Sequence, residues 1–183
     1  MQALQDAGHT AYGLDIEDNR RVAKDCEFFK VNLDENYIEE YICGQYDYIL
    51  FGDVLEHLQD PVPALRMAIV ALAPGGKVFI SVPNAGWIGS ALSIINQRFP
   101  RDESGHFDKT HLRFYTRETL KDTLLEAGYK HIAFYSKQLP DTPQWPEGAQ
   151  GLQRFRFENV QIECDRDTYD QLNTYQILAV AWP

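Results

Sequence analysis

The sequence predicts an α/β fold with a doubly wound, mostly parallel sheet. The strongest indication is residues 46–83, which read as one complete strand, helix, strand unit. Residues 48–51 and 78–82 are short apolar runs rich in β-formers, residues 61–72 carry apolar residues at helical spacing, and the PGG of residues 74–76 ends that helix. Two strands joined by a helix pair in parallel through a right-handed crossover, so the sheet is expected to be largely parallel.

A second observation is that strands and helices alternate before this unit as well. The expected elements, in chain order, are a helix ended by Gly8, a strand over residues 10–16, a short helix over residues 20–24, a strand over residues 27–31 and a short helix over residues 35–41. This regular alternation is typical of one α/β domain.

The residues after the unit predict further helices and an antiparallel end to the sheet. Thr116 is a good N-cap residue and Gly128 a good C-terminal glycine, so a helix is expected between them. The other expected elements are a helix over residues 87–97, a loop over residues 98–111, strands over residues 132–136 and 175–182, and an antiparallel hairpin partner for the last strand near residues 157–162.

Length and charge limit the classes of function. With 183 residues and 44% hydrophobic composition, the chain is long enough for one domain with a substantial core. The 27 acidic and 17 basic side chains give a net charge of −10. Because nonspecific nucleic-acid binding needs a basic surface, we expect no nucleic-acid partner and favour a small molecule or a protein.

The cysteines and the hydropathy pattern indicate an intracellular protein. Cys26, Cys43 and Cys164 are far apart and odd in number, which favours reduced structural thiols over a disulfide framework. No apolar run reaches the length of a membrane span, and the N-terminus lacks a signal-peptide pattern. We therefore expect a cytoplasmic location without a membrane span.

Polar side chains follow several of the predicted strands. Ligands of doubly wound sheets bind beyond the carboxyl ends of the strands, and Asp15 lies there, where a carboxylate can accept hydrogen bonds from both hydroxyls of a ribose. Asn32 and Asp34 follow the next strand and could bind the amino group of a base. Helix capping is the alternative role for all three residues.

Three histidines are candidates for acid–base chemistry. His57 ends the acidic turn of residues 53–57, and a histidine titrates near neutrality. His106 and His111 lie in the long loop expected to overhang the ligand edge. A structural role is the alternative for His57. Since two histidines and Asp108 lack the spacing of a metal motif, no metal is predicted.

Four motifs in order resemble one known family. They are YGLDI at residues 12–16, VLEHL at residues 54–58, LAPGGKVFISVPN at residues 72–84 and HLRFYT at residues 111–116. With them, nearly the whole chain resembles the class I S-adenosylmethionine-dependent methyltransferases of the ubiquinone-biosynthesis O-methyltransferase-like type (methyltransferase type 11 or 23), which have a Rossmann-like fold.

The resemblance implies S-adenosylmethionine as cofactor and transfer of its methyl group to an oxygen of a small-molecule or sugar-type acceptor. It also implies roles for individual residues. The ribose would be held by Asp15 beside Ile16, the adenine by Asn32, Leu33 and Asp34, and the cofactor cleft would be lined by Asp53, Val54 and His57. The candidate catalytic bases are His57, His106 and His111, and residues 86–115 would form an acceptor lid on a single domain of residues 1–183.

One departure from the family pattern concerns the N-terminus. Family members begin with a central strand and a GxGxG turn that contacts the methionine end of the cofactor, and nothing before Gly8 can supply either. We expect an N-terminally truncated fragment of a longer enzyme, or strands that rearrange or take a strand from a partner in a homo-oligomer. A catalytically impaired scaffold that binds a partner protein is the second hypothesis. A nicotinamide-nucleotide enzyme is less favoured, because it also needs a glycine-rich turn.

Overall fold

The structure, a computed structural model, describes residues 2–17, 27–35, 44–142 and 144–183. The predicted helix over residues 20–24, nearly all of the one over residues 35–41, and Cys26 and Cys43 lie outside these ranges. Cys164 is a buried free thiol, as expected. None of the helices in the described ranges combines the length and the apolar character that a membrane crossing requires.

Up to residue 138, the helices and strands of the described ranges follow the predicted order, but the strand Gln153–Phe157 and the helix Arg166–Asn173 were not predicted. The helices are α1 (Gln2–Asp6), α2 (Pro61–Ala71), α3 (Ile88–Ile95), α4 (Arg117–Ala127) and α5 (Arg166–Asn173), with 3₁₀ turns at Leu33–Glu35 and Leu55–His57. The strands are β1 (Tyr12–Asp15), β2 (Glu27–Lys30), β3 (Tyr46–Gly52), β4 (Leu72–Pro83), β5 (His131–Gln138), β6 (Gln153–Phe157), β7 (Val160–Cys164) and β8 (Thr174–Trp182).

The main sheet has the strand order β3-β4-β8-β5. Strands β3 and β4, which precede and follow α2 in the chain, pair in parallel. Strand β8 lies antiparallel to both β4 and β5. Strands β1 and β2 form a separate parallel pair, and β6 and β7 form an antiparallel hairpin. The predicted α/β class, the parallel strand, helix, strand unit and the C-terminal hairpin are confirmed.

The expected partner of the last strand is wrong. Residues 157–162 do not pair with β8: a two-residue turn separates β6 from β7, so that Phe157 faces Val160 within its own hairpin. Glu158 in this turn has a φ of 50°, a left-handed conformation that tight hairpin turns require. Strand β8 instead lies between β4 and β5, where Ile177, Ala179 and others on its inner face are buried.

Local signals set the ends of the two helices that cover the main sheet. Helix α2 begins at Pro61 because the side chain of Asp60 accepts a hydrogen bond from the N–H of Val62, and proline fits the first helical position. It ends at Ala71, a few residues before the predicted stop. The chain then enters β4. A Cβ atom on Gly76 would lie only 2.9 Å from the carbonyl oxygen of Tyr46, so a side chain at this position would clash with the neighbouring strand.

Helix α4 carries both of the predicted end signals. Thr116 and Thr119 exchange side-chain to backbone hydrogen bonds in a capping box. Gly128 ends the helix with a φ of 110°, a conformation that costs glycine little. Both helices therefore follow from their own sequence.

The core lies between these helices and one face of the main sheet. Its fully buried side chains come from α2, α4 and alternate positions of β4, and include Leu65, Leu120, Leu124 and Val78. Burial of this apolar surface is the main stabilising contribution to the fold. The opposite face of β3 is more open than a sheet with helices on both sides would be, because Leu50 is 60% exposed.

The two parallel sheets remain separate. In the part of the chain that the structure describes, no strand pairs with β1 on the edge away from β2, or with β3 on the edge away from β4. The rings of Tyr12 and Tyr46 make an edge contact at 5.8 Å between their centroids. The family resemblance places a further, central strand between these two edges.

Candidate active site

A cleft of about 320 Å³ lies beyond the carboxyl ends of β3 and β4, next to the start of β8. This is the edge at which doubly wound sheets bind ligands. It is lined by residues from the turn after β3, the loop before α4 and the strand ends: Asp53, Glu56, His57, Pro83, Gly105, His106, Asp108, His111, Lys137, Tyr175 and Gln176.

Asp53 joins three strands at the floor of this cleft. Its backbone has a φ of 53°, a conformation uncommon for residues other than glycine but tolerated by aspartate. Its N–H donates to the carbonyl oxygen of Ser81 at 3.1 Å. Its Oδ1 atom accepts hydrogen bonds from Ser81 Oγ at 3.0 Å and from Gln176 Nε2 at 2.6 Å. These bonds hold the ends of β3, β4 and β8 together.

Glu56 is a buried acid without a protein partner. Its side chain is 1% exposed, and neither carboxylate oxygen has a hydrogen-bond partner among the described residues. Burial, with a smaller contribution from the nearby charge of Asp53, raises the pKa of Glu56 to about 7. The backbone carbonyl of Glu56 accepts hydrogen bonds from Leu112 N at 2.8 Å and Arg113 N at 3.0 Å. The loop that carries His111 is thereby held against Glu56.

His57 and His111 meet in this cleft although 53 residues lie between them in the chain. Their ring centroids are 4.8 Å apart in an edge arrangement. The Nδ1 atom of His57 lies 3.1 Å from Thr110 Oγ1, which donates to Asp108 Oδ1 at 2.6 Å. Burial, with the neighbouring His57, lowers the pKa of His111, and this favours a neutral ring at pH 7.

His106 occupies the opposite wall. Its Nε2 atom lies 2.7 Å from Ser90 Oγ, and its ring packs against Trp87 and Tyr175 with centroid distances of 5.2 Å to each. Burial is the main cause that lowers the pKa of His106, with His111 adding to it. The structure thus brings all three predicted histidines to one cleft.

Most of the predicted cofactor residues lie outside this cleft. Asp15 and Ile16 are exposed at the carboxyl end of β1. Asn32 Oδ1 accepts from the N–H of Asp34, and Asp34 Oδ1 accepts from the N–H of Gln59 at 2.9 Å. The bond of Asn32 is local, which agrees with its capping alternative, whereas the bond of Asp34 ties this turn to the segment before α2.

Two further predicted cofactor residues contribute to the packing of the protein and do not line the cleft. Leu33 packs against the core, and Val54 is half-buried at the start of the 3₁₀ turn Leu55–His57. Asp53 and His57 are therefore the predicted cofactor residues that line the cleft itself.

Four lining residues were missed by the sequence interpretation. The sequence did contain an indication for Glu56, because this acid lies next to His57 and between the apolar residues Leu55 and Leu58, which are buried. Lys137, Tyr175 and Gln176 had none. The pairing of β8 with β4 places Gln176 opposite Pro83, and the pairing of β5 with β8 places Lys137 opposite Gln176.

Comparison with known proteins gives a consistent result. The family model described as "Methyltransferase domain" matches residues 1–133. The ubiquinone biosynthesis O-methyltransferase of Escherichia fergusonii is 26% identical over 106 residues, which is 54% of this chain and 44% of that protein. The protein of the same name from Marinobacter nauticus is 37% identical over 60 residues, 30% of this chain and 25% of that one. The chain spans less than half the length of these curated relatives.

Solved structures show the same fold at low sequence identity. A SAM-dependent methyltransferase from Archaeoglobus fulgidus aligns with a TM-score of 0.64 at 16% identity, covering 98% of this chain and 79% of that one. An O-methyltransferase family protein from Burkholderia thailandensis aligns with a TM-score of 0.54 at 15% identity, covering 99% of this chain and 46% of that one.

Proposed function

Because the chain belongs to the methyltransferase domain family, we propose that it binds S-adenosylmethionine and methylates an oxygen of a small-molecule or sugar-type acceptor. The observation that supports this most is the position of the histidine cleft at the carboxyl ends of β3 and β4, the ligand edge of a doubly wound sheet. The net charge of −10 also favours a small molecule over a nucleic acid.

Asp15 fits the ribose of S-adenosylmethionine. Asp15 has an exposed carboxylate at the carboxyl end of β1, where it would accept hydrogen bonds from the ribose hydroxyls. The sequence contains no GxGxG turn, so no described residue is assigned to the methionine half. When bound, this cofactor supplies a methyl group activated by a sulfonium.

The acceptor would lie in the histidine cleft, because the proton acceptors are there. Transfer of the methyl group to a hydroxyl would break the sulfonium's sulfur–methyl bond, leave a neutral thioether and form the new carbon–oxygen bond. The hydroxyl proton would then be released, and a neutral imidazole can take it. His111 is suited to this because burial lowers its pKa and keeps the ring neutral at pH 7. His57 and His106 line the same cleft and remain candidates.

Residues 86–115 are proposed as the acceptor lid. Their aromatic rings form a connected surface, with Phe99 contacting Phe107 and Phe114 at centroid distances of 5.7 and 5.5 Å. Phe99 and Phe114 are exposed and available to stack on a ring. Arg113 donates to the carbonyl oxygens of Leu58 and Gln59, so its guanidinium holds the loop rather than an anionic acceptor.

Calorimetric titration with S-adenosylmethionine tests the cofactor part of this proposal. Asp15→Asn should weaken binding by at least about tenfold, because a charged hydrogen-bond acceptor for the ribose is lost. Asp47→Asn is the matched control, since Asp47 is exposed on β3 away from the carboxyl end. Equal affinity in the wild type and Asp15→Asn would remove Asp15 from the site.

A second candidate function is favoured by the edges of β1 and β3 with which no strand of the described residues pairs. An isolated methyltransferase-like module could bind a partner protein without catalysis, and absence of S-adenosylmethionine binding by the chain would support it. A third candidate is a fragment of a longer enzyme. A form extended by about 40 residues, enough for a first strand and a glycine-rich turn, should then bind the cofactor more tightly. Equal binding by both forms would contradict the fragment interpretation.

A further inference from the structure

We infer that Glu56, His57 and His111 form a binding site for a divalent transition-metal cation. Each of the three offers one ligand atom, and these atoms all lie within 4.8 Å of one another. Bonds of about 2.1 Å to a shared cation place ligand atoms about 3 to 3.5 Å apart. Small side-chain rotations would therefore close the set around one ion.

The burial of Glu56 is the strongest argument for a ligand at this point. Its carboxylate is 1% exposed, lines the cleft, and has no hydrogen-bond partner among the described residues. Buried side-chain oxygens in proteins are nearly always bonded, and a lone buried carboxylate is costly. A cation in the cleft would satisfy it. Arg113, whose N–H bonds to the backbone carbonyl of Glu56, directs its guanidinium to the carbonyl oxygens of Leu58 and Gln59 instead.

The surroundings of His57 orient one nitrogen toward the cleft. Thr110 Oγ1 donates its proton to Asp108, so it accepts from the Nδ1–H of His57. That bond selects the tautomer in which Nε2 carries the free lone pair. Metal-binding histidines usually have such a partner on the other ring nitrogen, often ending in a carboxylate. Asp108, Thr110 and His57 form this chain here.

The position of His111 is fixed by Glu56 itself. The two N–H groups that follow His111, those of Leu112 and Arg113, both donate to the backbone carbonyl of Glu56, at 2.8 and 3.0 Å. The proposed ligands are therefore connected through the main chain as well as through the cleft. This preorganisation is what a binding site of defined geometry requires.

The ligand types indicate which cations would bind. Two imidazoles and one carboxylate suit Mn²⁺, Fe²⁺, Co²⁺ or Zn²⁺ better than Mg²⁺ or Ca²⁺, which prefer oxygen ligands. Three protein ligands leave coordination positions open toward the cleft. Within the proposed function, an acceptor hydroxyl at such a position would lose its proton more readily. With the cation bound, His57 and His111 would act as ligands, which leaves His106 as the candidate base. That role depends on the proposed function, whereas cation binding does not.

This set differs from the one that the sequence interpretation considered and set aside. There, His106 was grouped with Asp108 and His111. In the structure His106 Nε2 lies against Ser90 Oγ, and Asp108 is bonded to Thr110. The proposed set has Glu56 and His57 in place of His106 and Asp108, so His106 lines the same cleft without being a ligand and provides a control.

Titration of the tag-free, chelator-treated chain with Co²⁺ tests the inference, with visible absorption and calorimetry as readouts. We expect one Co²⁺ per chain, with absorption bands typical of nitrogen and oxygen ligands. Glu56→Gln and His111→Gln should each weaken binding by at least about tenfold, and His106→Gln should leave affinity unchanged. Half-buried His57 provides a further variant, His57→Gln, for which the same loss is expected.

Two results would overturn the inference: full affinity in Glu56→Gln, or loss of affinity in His106→Gln with His57→Gln unaffected. Circular dichroism of each variant establishes that the fold is intact. Should Glu56→Gln or His111→Gln fail to fold, His57→Gln decides. S-adenosylmethionine binding is measured separately, so that Co²⁺ binding without cofactor binding would reject the proposed function and retain the cation site.

Discussion

The Nδ1 atom of His57 lies 3.1 Å from the Oγ1 atom of Thr110, in a loop that approaches from the far side of the cleft. Thr110→Val keeps the shape of the side chain and removes this bond. Because the His57 ring would then lose its preferred tautomer, we expect Co²⁺ affinity to fall by about tenfold. Thr10→Val, at an exposed threonine between α1 and β1, is the control. Unchanged affinity in Thr110→Val would show that Thr110 does not position His57.

Tyr129 joins the segment after α4 to α2. Its buried hydroxyl donates to the carbonyl oxygen of Leu65 at 3.0 Å. Tyr129→Phe removes this bond, and we expect the free energy of unfolding in urea to fall by about 1 kcal/mol. Tyr135→Phe, at an exposed tyrosine of β5, should change it little. Equal losses in the two variants would contradict a specific role for the Tyr129 hydroxyl.

The same residue predicts a pH dependence. Burial raises the pKa of Tyr129 above its ordinary value of 10.0. The unfolded chain then ionises this tyrosine at lower pH than the folded chain does, so its contribution is complete below pH 10 and is lost as pH rises further. The slope is at most about 1.4 kcal/mol per pH unit.

Urea unfolding at about pH 9 and about pH 11 measures this effect, with Tyr129→Phe as the reference. The stability difference between the wild type and Tyr129→Phe should shrink as pH rises. Because every other tyrosine is present in both proteins, the difference isolates Tyr129. A constant difference would show that the pKa of Tyr129 is the same in the folded and unfolded chains.

The capping box of α4 gives a further prediction. Thr116→Ala removes the hydroxyl that accepts from the N–H of Thr119. The loss of an N-cap typically costs about 1 kcal/mol, and we expect this decrease in the free energy of unfolding. Thr10→Ala is the control for a threonine outside any helix. A Thr116→Ala variant as stable as Thr10→Ala would mean that the packing of Leu120 and Leu124 alone positions the helix.

Helix ends and the central unit were predictable because their signals are local. Asp60 and Pro61 start α2, Thr116 and Gly128 bound α4, and each acts on backbone groups within one helical turn. The parallel pairing of β3 and β4 also followed, since a helix between two apolar strands leaves little choice.

Strand partners and the composition of the cleft were not predictable in this way. The partner of β8 was wrongly placed near residues 157–162, because antiparallel pairing depends on which edge is free in the folded sheet. The burial of the Glu56 side chain was also not predictable. The backbone N–H groups of Leu112 and Arg113, more than 50 residues away in the sequence, donate to the carbonyl oxygen of Glu56 and hold their loop against it.

By itself, the sequence determined the α/β class, the start of α2, both ends of α4 and the three histidines as candidates, through short-range periodicity and capping. Only the tertiary structure decided that Glu56 joins His57 and His111 and that Asp53 bonds to Gln176. The physical reason is that sheet register and loop hydrogen bonds bring together side chains that no local pattern relates.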